Sequence, residues 1–471
     1  MDSIQHAQSP QNVSTQVGGT SVAITLARLA TDQLNCRQPS DVIHAAKRCI
    51  IDWFAAALPG SISSESLALE SGLSDGLGYG NAWTLRGNRA PARLAALING
   101  TASHAVEFDD IFSPAIYHPG SPTIAAALAA AQSQSKTGQD LLISVIAGYE
   151  VSTRIGMAMG REHYKYWHNT GTVGTFGSTA AVALLYDLDN EKLAHALGTA
   201  ATMAAGLQQA FRGDARIKPL HAGHAADVGF VAVASAQGAV TAPVDMFEGE
   251  TGLGNAMSKE VDWESALADL ESFNITRITI KNHGCCGHIF AALDGVLHLQ
   301  REHKFSIDEI ERIDVGGYSA TYNVTGNYCI DTPAAARFSL PYIVASGLVH
   351  KSIRLDATTP ERLSDPKVLA LMPLIHVTLD PEVDALFPRQ RAANVNIRLR
   401  NGTVLEHFQP HRVGDPELPL SDVDLNRKFM ELATTVMADS DADALLSALW
   451  ALETASNIDF IRKTKLLKPA A

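Results

Sequence analysis

The chain has 471 residues, 46% of them hydrophobic and 18% charged, and a formal net charge of −13. That size and apolar content suit a globular enzyme of two domains or one large discontinuous one. The acidic balance excludes nucleic acid and an anionic membrane as main partners, while leaving room for a small anionic substrate in a local cationic pocket. Five cysteines, an odd number in so long a chain, exclude a disulfide framework and point to reduced thiols in a cytoplasmic setting.

Residues 1–20 are polar, with neither a basic start nor an apolar run, and read as a disordered leader instead of a signal peptide. No stretch reaches roughly 18 continuous apolar residues, so no membrane span is expected. From 21 to 274 the signals are helical. Ser40-Asp41 caps a helix carrying Ala45, Ala46, Cys49, Ile50, Trp53 and Phe54 at core spacing. Gly76, Gly78 and Gly80 have no strand before them and no helix after, so they form a turn and not a phosphate loop. Ala-rich helices are predicted over Pro91 to Val106, Ser121 to Gln134, Gly138 to Met159, Thr172 to Tyr186, Asn190 to Leu207 and Gly223 to Gln237. There is no Walker motif, no G-x-S-x-G and no H-E-x-x-H.

The candidate chemistry falls in the hinges between those helices. His104 to His118 (HAVEFDDIFSPAIYH) sets two histidines beside Glu107, Asp109 and Asp110, between two apolar stretches. Polar groups that dense are costly to bury unless paired or used. The bland reading is a solvated loop with Asp109 and Asp110 as helix caps. The functional one makes His118 a proton carrier oriented by a carboxylate. His168 lies just before a small-residue helix whose N-terminus suits an anion. Arg212, Arg216, Lys218, His221 and His224 form a cationic run into the next helix, suited to carboxylates. Pro219 is expected to hold Lys218 extended.

Near residue 275 the texture changes. NITRITIKNHG alternates like a strand, and Lys281, His283, Cys285, Cys286 and His288 follow. The spacing H-x-C-C-x-H invites a metal, but adjacent ligands compete sterically and no second pair completes a zinc site. Lys281 as an anion or acid–base group, with Cys286 or His288 lining the same pocket, is the favoured reading, and no metal is expected. A helix is predicted over Cys286 to His303 and another over Pro333 to Val349, with Arg337 and Tyr342 at its start. Strands are predicted in IERIDVGGYSATYNV, HVTLDPEVDA and AANVNIRLRNGTVLEHFQP, the last with a hairpin turn at Asn401-Gly402. Residues 275–412 thus read as an α+β domain, and 413–471, helical again, as a return to the first. The expected fold is mainly α, a large discontinuous all-helical domain plus a smaller α+β domain.

In this order, NGTASHAVEFDD with HPGSP, KPLHAGHAA, K-x-x-x-C-C-G-H and AARFSLPYIVA resemble the MmgE/PrpD family, which includes 2-methylcitrate dehydratase, cis-aconitate decarboxylase and iminodisuccinate epimerase. The resemblance covers about residues 20 to 460. It implies a helical domain with an α+β lid, a pocket between them, a homodimer and no cofactor. Glu107, His118, His168, Lys218, Lys281 and Tyr342 match positions lining the active site of the decarboxylase branch, and Arg212, His221, Cys286 and His288 are the further candidates for substrate binding. Glu107 stands where the motif usually has Asp, Ile111 where Thr is usual, and Cys286 where animal decarboxylases have His. The implied chemistry is proton transfer at a carbon next to a carboxylate. Dehydration of a small di- or tricarboxylate is the first expectation, and epimerisation and decarboxylation are alternatives. A non-catalytic carboxylate-binding protein is the reading from a different class.

Overall fold

A computed structural model describes residues 21–211, 216–459 and 466. Helix α1 (Val22–Asn35) is capped by Ser21, whose hydroxyl accepts from the Ile24 amide. Helices α2 (Ser40–Gly60) and α3 (Ser64–Gly72) precede a two-stranded ribbon, β1 (Ala82–Trp83) and β2 (Arg89–Ala90). Then come α4 (Ala92–His104), α5 (Gly120–Ser133), α6 (Gly138–His163), α7 (Asn169–Thr172), α8 (Gly174–Leu185), α9 (Asn190–Ala201) and α10 (Lys218–Gln237). The predicted helices overlap these, but Thr172 closes α7 ahead of α8, the helix from Asn190 ends at Ala201 and not Leu207, and α10 starts at Lys218 and not Gly223. Lys218 is not held extended. It opens α10, with Pro219 in the first turn, where a missing N–H costs nothing.

Small residues decide how these helices meet. A Cβ on Gly223 would lie 2.3 Å from the Leu97 carbonyl and from the Thr101 hydroxyl, so α10 packs backbone to backbone on α4. Arg93 on α4 pairs with Asp227 on α10, which makes the packing antiparallel. The C-terminus of α4, His104, therefore lies beside the N-terminus of α10, Lys218. The core formed by these helices also takes in Ile275, Ile278 and Ile280 and then Leu420 to Ile458 from the far end of the chain. Helix α6 has the length and apolar character of a membrane span, but its apolar side chains are buried within this core. Its one internal ion pair, Glu150 with Arg154, is buried and secures residues 269–275 through main-chain hydrogen bonds.

A second core runs from Ile289 to Leu405. It lies between the helices Phe290–His303 and Leu340–His350 and a four-stranded sheet of order β4-β3-β5-β6. Strand β3 (Ile310–Gly317) pairs parallel with β4 (Ile375–Leu379) and antiparallel with β5 (Ala393–Leu399), and β5 pairs antiparallel with β6 (Val404–Gln409). Gly402, at φ 88°, makes the predicted turn between β5 and β6. The fold is mainly α with a smaller α+β part.

Local readings differ in four places. NITRITIKNHG is not a sheet strand: Asn274–Arg277 is a 3-10 turn, and Thr279 alone bridges Ile111. Its alternation reflects burial of Ile275, Ile278 and Ile280 in the first core. The predicted helix from Cys286 begins at Phe290, and Pro333–Val349 breaks at residues 337–339. The segment after β3 forms a helix, Ser319–Thr325, instead of a turn.

Candidate active site

Three elements converge on the segment between α4 and α5. The Ile111–Thr279 bridge has both of its hydrogen bonds, 2.9 and 2.8 Å. Stepping two residues along each side of this antiparallel pair sets Lys281 opposite Asp109. The Lys281 ammonium donates to the Glu107 carbonyl at 2.8 Å and lies 3.9 Å from Asp109 Oδ1. Lys218, brought in by α10, pairs with Glu107 Oε1. Glu107 adopts φ 63°, unusual for a residue with a side chain, which turns its carboxylate toward the two ammonium groups. That side chain, 45% exposed, is the open mouth of an otherwise buried set.

Behind it lie four imidazoles. His104 Nδ1 donates to Asp109 Oδ2 at 2.6 Å, Ser121 Oγ donates to the same oxygen at 2.8 Å, and His118 Nδ1 lies 3.2 Å from it. An ionised carboxylate only accepts, so it holds the His104 proton on Nδ1 and leaves Nε2 as the basic atom. The His104 Nε2 has no hydrogen-bond partner among the described residues. The His104 ring stacks on His168 at 5.4 Å and meets His118 edge-on at 5.0 Å. His168 Nδ1 and His221 Nδ1 are 3.0 Å apart, at hydrogen-bonding distance. Phe211 closes one side, edge to His168 and beneath Lys218.

Burial and neighbouring charge set the protonation states. Burial pushes His104 down to about 4 against the pull of Asp109, and burial with the charges of His104 and Lys218 holds His168 well below its usual value. Both rings are therefore neutral bases at pH 7. Burial works against the charge of Glu107, yet Lys218 and Lys281 outweigh it and hold that carboxyl far below its usual range. Burial pulls the Lys218 ammonium down, but Glu107 and Asp109 together raise it, so it stays a cation. The arrangement offers neutral bases beside two fixed cations.

A further layer fixes the segment. Asp110 accepts from the Gly120 amide at 3.0 Å and from the Tyr149 hydroxyl at 2.7 Å. The cap anticipated in the bland reading thus exists, at Asp110. A Cβ on Gly120 would lie 2.7 Å from that hydroxyl, so the contact requires glycine. Burial, then the charges of Asp52 and Asp109, push Asp110 up to about 8. From the helix Asp422–Ala433, Lys428 donates to the Phe108 carbonyl at 3.0 Å and pairs with Asp52, both side chains being fully buried.

Of the residues singled out in the sequence, Glu107, His118, His168, Lys218, Lys281 and His221 are thus brought together. Tyr342 is not among them: it is buried in the second core and donates to the Ala357 carbonyl at 2.5 Å. Its LPYIVA setting is apolar because the residue is core. Cys286 and His288 lie further along the same segment, at the end of the sheet, where His288 Nδ1 is 2.8 Å from the Tyr318 hydroxyl. Arg212 lies outside the described residues. Arg216 turns outward to Ser64 and Glu65, and His224 is exposed beside the Met203 carbonyl. His283 pairs with Asp294, away from His288, so the H-x-C-C-x-H spacing does not converge. Among the described residues the donor set that converges is His104, Asp109 and His118, with ligand atoms within 4.8 Å of one another. The adjacent ammonium groups disfavour a cation there. His104 was missed as a site residue. Its signal was its place as the last residue of an apolar helix, five before an aspartate.

Two family models match, the MmgE/PrpD N-terminal domain over residues 25–266 and the MmgE/PrpD C-terminal domain over residues 283–454. A cis-aconitate decarboxylase-like protein of Aspergillus oryzae is 26% identical over 448 residues, covering 89% of this chain and 92% of the relative. Cis-aconitate decarboxylases of Aspergillus terreus and Mus musculus are 26% and 25% identical, covering 92% and 91% of this chain and 92% and 89% of their own.

Proposed function

The chain belongs to the MmgE/PrpD family, and from that premise we propose that it is an enzyme that moves a proton at the carbon next to a carboxylate of a small di- or tricarboxylate, without a cofactor. The observation that carries this reading is the pairing of neutral imidazoles, His104 and His168, with the Lys218 ammonium, held cationic by Glu107 and Asp109, and with Lys281 beside it. A carbon acid of this kind is weak. It ionises only where a base is aligned with the C–H bond and cations receive the charge that develops on the carboxylate. Lys218 and Lys281 are those cations. The base is His104 or His118, held by Asp109, and His168 with His221 passes protons on the adjoining side.

Dehydration is the reaction we favour. The base breaks the C–H bond, its electrons form the double bond, the C–O bond breaks, and the proton leaves with hydroxide as water. Bases held neutral at pH 7 favour proton removal over donation. The names of the relatives favour a second reading, decarboxylation, in which CO2 leaves and a proton takes its place on carbon. Epimerisation uses the same ionisation with reprotonation on the opposite face. Family membership is also the ground for proposing a homodimer, which light scattering checks.

The test is incubation of metal-free protein in D2O with 2-methylcitrate, citrate, cis-aconitate and iminodisuccinate, followed by proton NMR. An alkene from a hydroxy acid supports dehydration. Loss of CO2 or deuterium incorporation with inversion replaces it by one of the other two. No exchange with any of them, alongside tight binding, overturns catalysis in favour of a carboxylate-binding protein.

A further inference from the structure

The register of the sheet brings two arginines together. Ala393 on β5 pairs with Gln409 on β6, and Arg391 and Arg412 extend this hairpin at its open end, opposite the Asn401-Gly402 turn. Both approach Gly287, where a Cβ would lie 3.3 Å from Arg412 Nη1 and 4.0 Å from Arg391 Nη1. Arg412 is 2% exposed. Its Nε and Nη2 hold Asp415 at 2.9 and 2.6 Å, but its buried Nη1 has no hydrogen-bond partner among the described residues. Asp415 also accepts from Thr279 at 2.8 Å. The Arg391 side chain, half-buried, makes no hydrogen bond or ion pair with any described residue. Burial and then the charge of Arg412 weaken its hold on its proton, and Arg161 of α6 adds a third positive charge within reach. Two guanidinium groups and one carboxylate, already engaged, leave an uncompensated charge, which is costly to hold away from water.

The segment 281–288 joins this place to the candidate active site. Lys281 ends it at Glu107, His288 ends it at Tyr318, and the Cys286 thiol between them feels the charges of Arg391, Lys281 and Arg412. We propose that Arg391, Arg412 Nη1 and His288 form a carboxylate subsite that takes the carboxylate of the substrate remote from Lys218 and Lys281. A planar carboxylate matches the guanidinium fork, and a free Nη1 beside a free guanidinium supplies donors from two directions. The subsite would select polycarboxylates over monocarboxylates. This inference rests on the proposed function, since it assigns the second end of that substrate.

The probe is tricarballylate, an unreactive tricarboxylate, titrated calorimetrically into the wild-type chain, Arg391→Gln, Arg391→Lys and Lys218→Met. Arg391→Gln is expected to weaken binding about 10- to 100-fold, the loss of a charge-assisted pair, with Arg391→Lys between it and wild type and melting unchanged. Lys218→Met should also weaken binding. Unchanged affinity in Arg391→Gln with a loss in Lys218→Met overturns the subsite and leaves the proposed function standing. No binding to wild type, or no effect of either variant, overturns both. Inorganic phosphate that binds through Arg391 alongside tricarballylate, without competition, shows a separate anion site and also overturns the subsite.

Discussion

Around Glu107 and Asp109, the carboxylates face Lys218 and Lys281 and the charges are matched within the protein. At the open end of β5 and β6, Arg412 holds the one carboxylate, Asp415, and Arg391 has no ion pair among the described residues. The difference separates two tasks. Matched charges fix geometry and protonation before a ligand arrives, which is what a proton-transfer site requires. Unmatched charges fix little and cost stability, but they leave donors for an incoming anion.

The sharpest way to break the matched side is Lys428→Met, which strands Asp52 in the core. A loss of about 3–5 kcal/mol is expected in urea unfolding followed by circular dichroism, with much of it recovered when Asp52→Asn is added. A loss below about 1 kcal/mol would mean the pair is not a tie. Next is Asp109→Asn, which removes the acceptor that orients His104. Turnover should fall roughly 10²- to 10⁴-fold in the NMR assay while melting moves little. Full turnover would remove Asp109 and His104 from the mechanism.

Acid titration acts on His104 in this region and on His163 at the end of α6, which lies against Thr172 and the Met257 carbonyl. His104 and His163 have folded values near 4, below the unfolded value near 6.5. Between those pH values the unfolded chain binds protons that the folded chain refuses. Stability should therefore fall as pH drops from about 6.5 to about 4, by up to about 1.4 kcal/mol per pH unit for each histidine. A flat unfolding free energy over that window contradicts the neutral imidazoles. The smallest effect belongs to the unmatched side. Arg391→Gln should change stability by no more than about 0.5 kcal/mol, or raise it, because no described residue relies on that side chain. A large loss would reveal a structural role and collapse the contrast.

The matched region was the more legible one. His118, Glu107, Lys218 and Lys281 stand out because each is a polar residue at the edge of an apolar helix or buried strand-like run. The packing of α4 on α10, written in Gly100 and Gly223, explains why such distant residues meet, but spacing along the chain does not show it. Arg391 and Arg412 carry no signal of their own in RQRAANV and PHRVGD, since only the pairing of β5 with β6 makes them neighbours. Tyr342 misled through the resemblance alone: its apolar LPYIVA setting reads as a core or boundary tyrosine, and the structure places it in the second core. The strand-like alternation of NITRITI misled similarly, since a bridge and a turn bury the same residues as a strand. The helical elements and the β5–β6 hairpin, set by local periodicity and turn chemistry, were the easiest to read.

The tie between Phe108 and Lys428 spans 320 residues. During synthesis the segment carrying Glu107 and Asp109 leaves the ribosome long before its anchor exists. At typical elongation rates the wait is roughly 15 to 60 seconds. For that interval Asp52 has no counter-charge and the Phe108 carbonyl has no donor, so the early helices pack around an incomplete centre. Maturation of the site is thus timed by the last helices to be translated, and a nascent chain arrested before residue 428 would carry its bases without the frame that aims them.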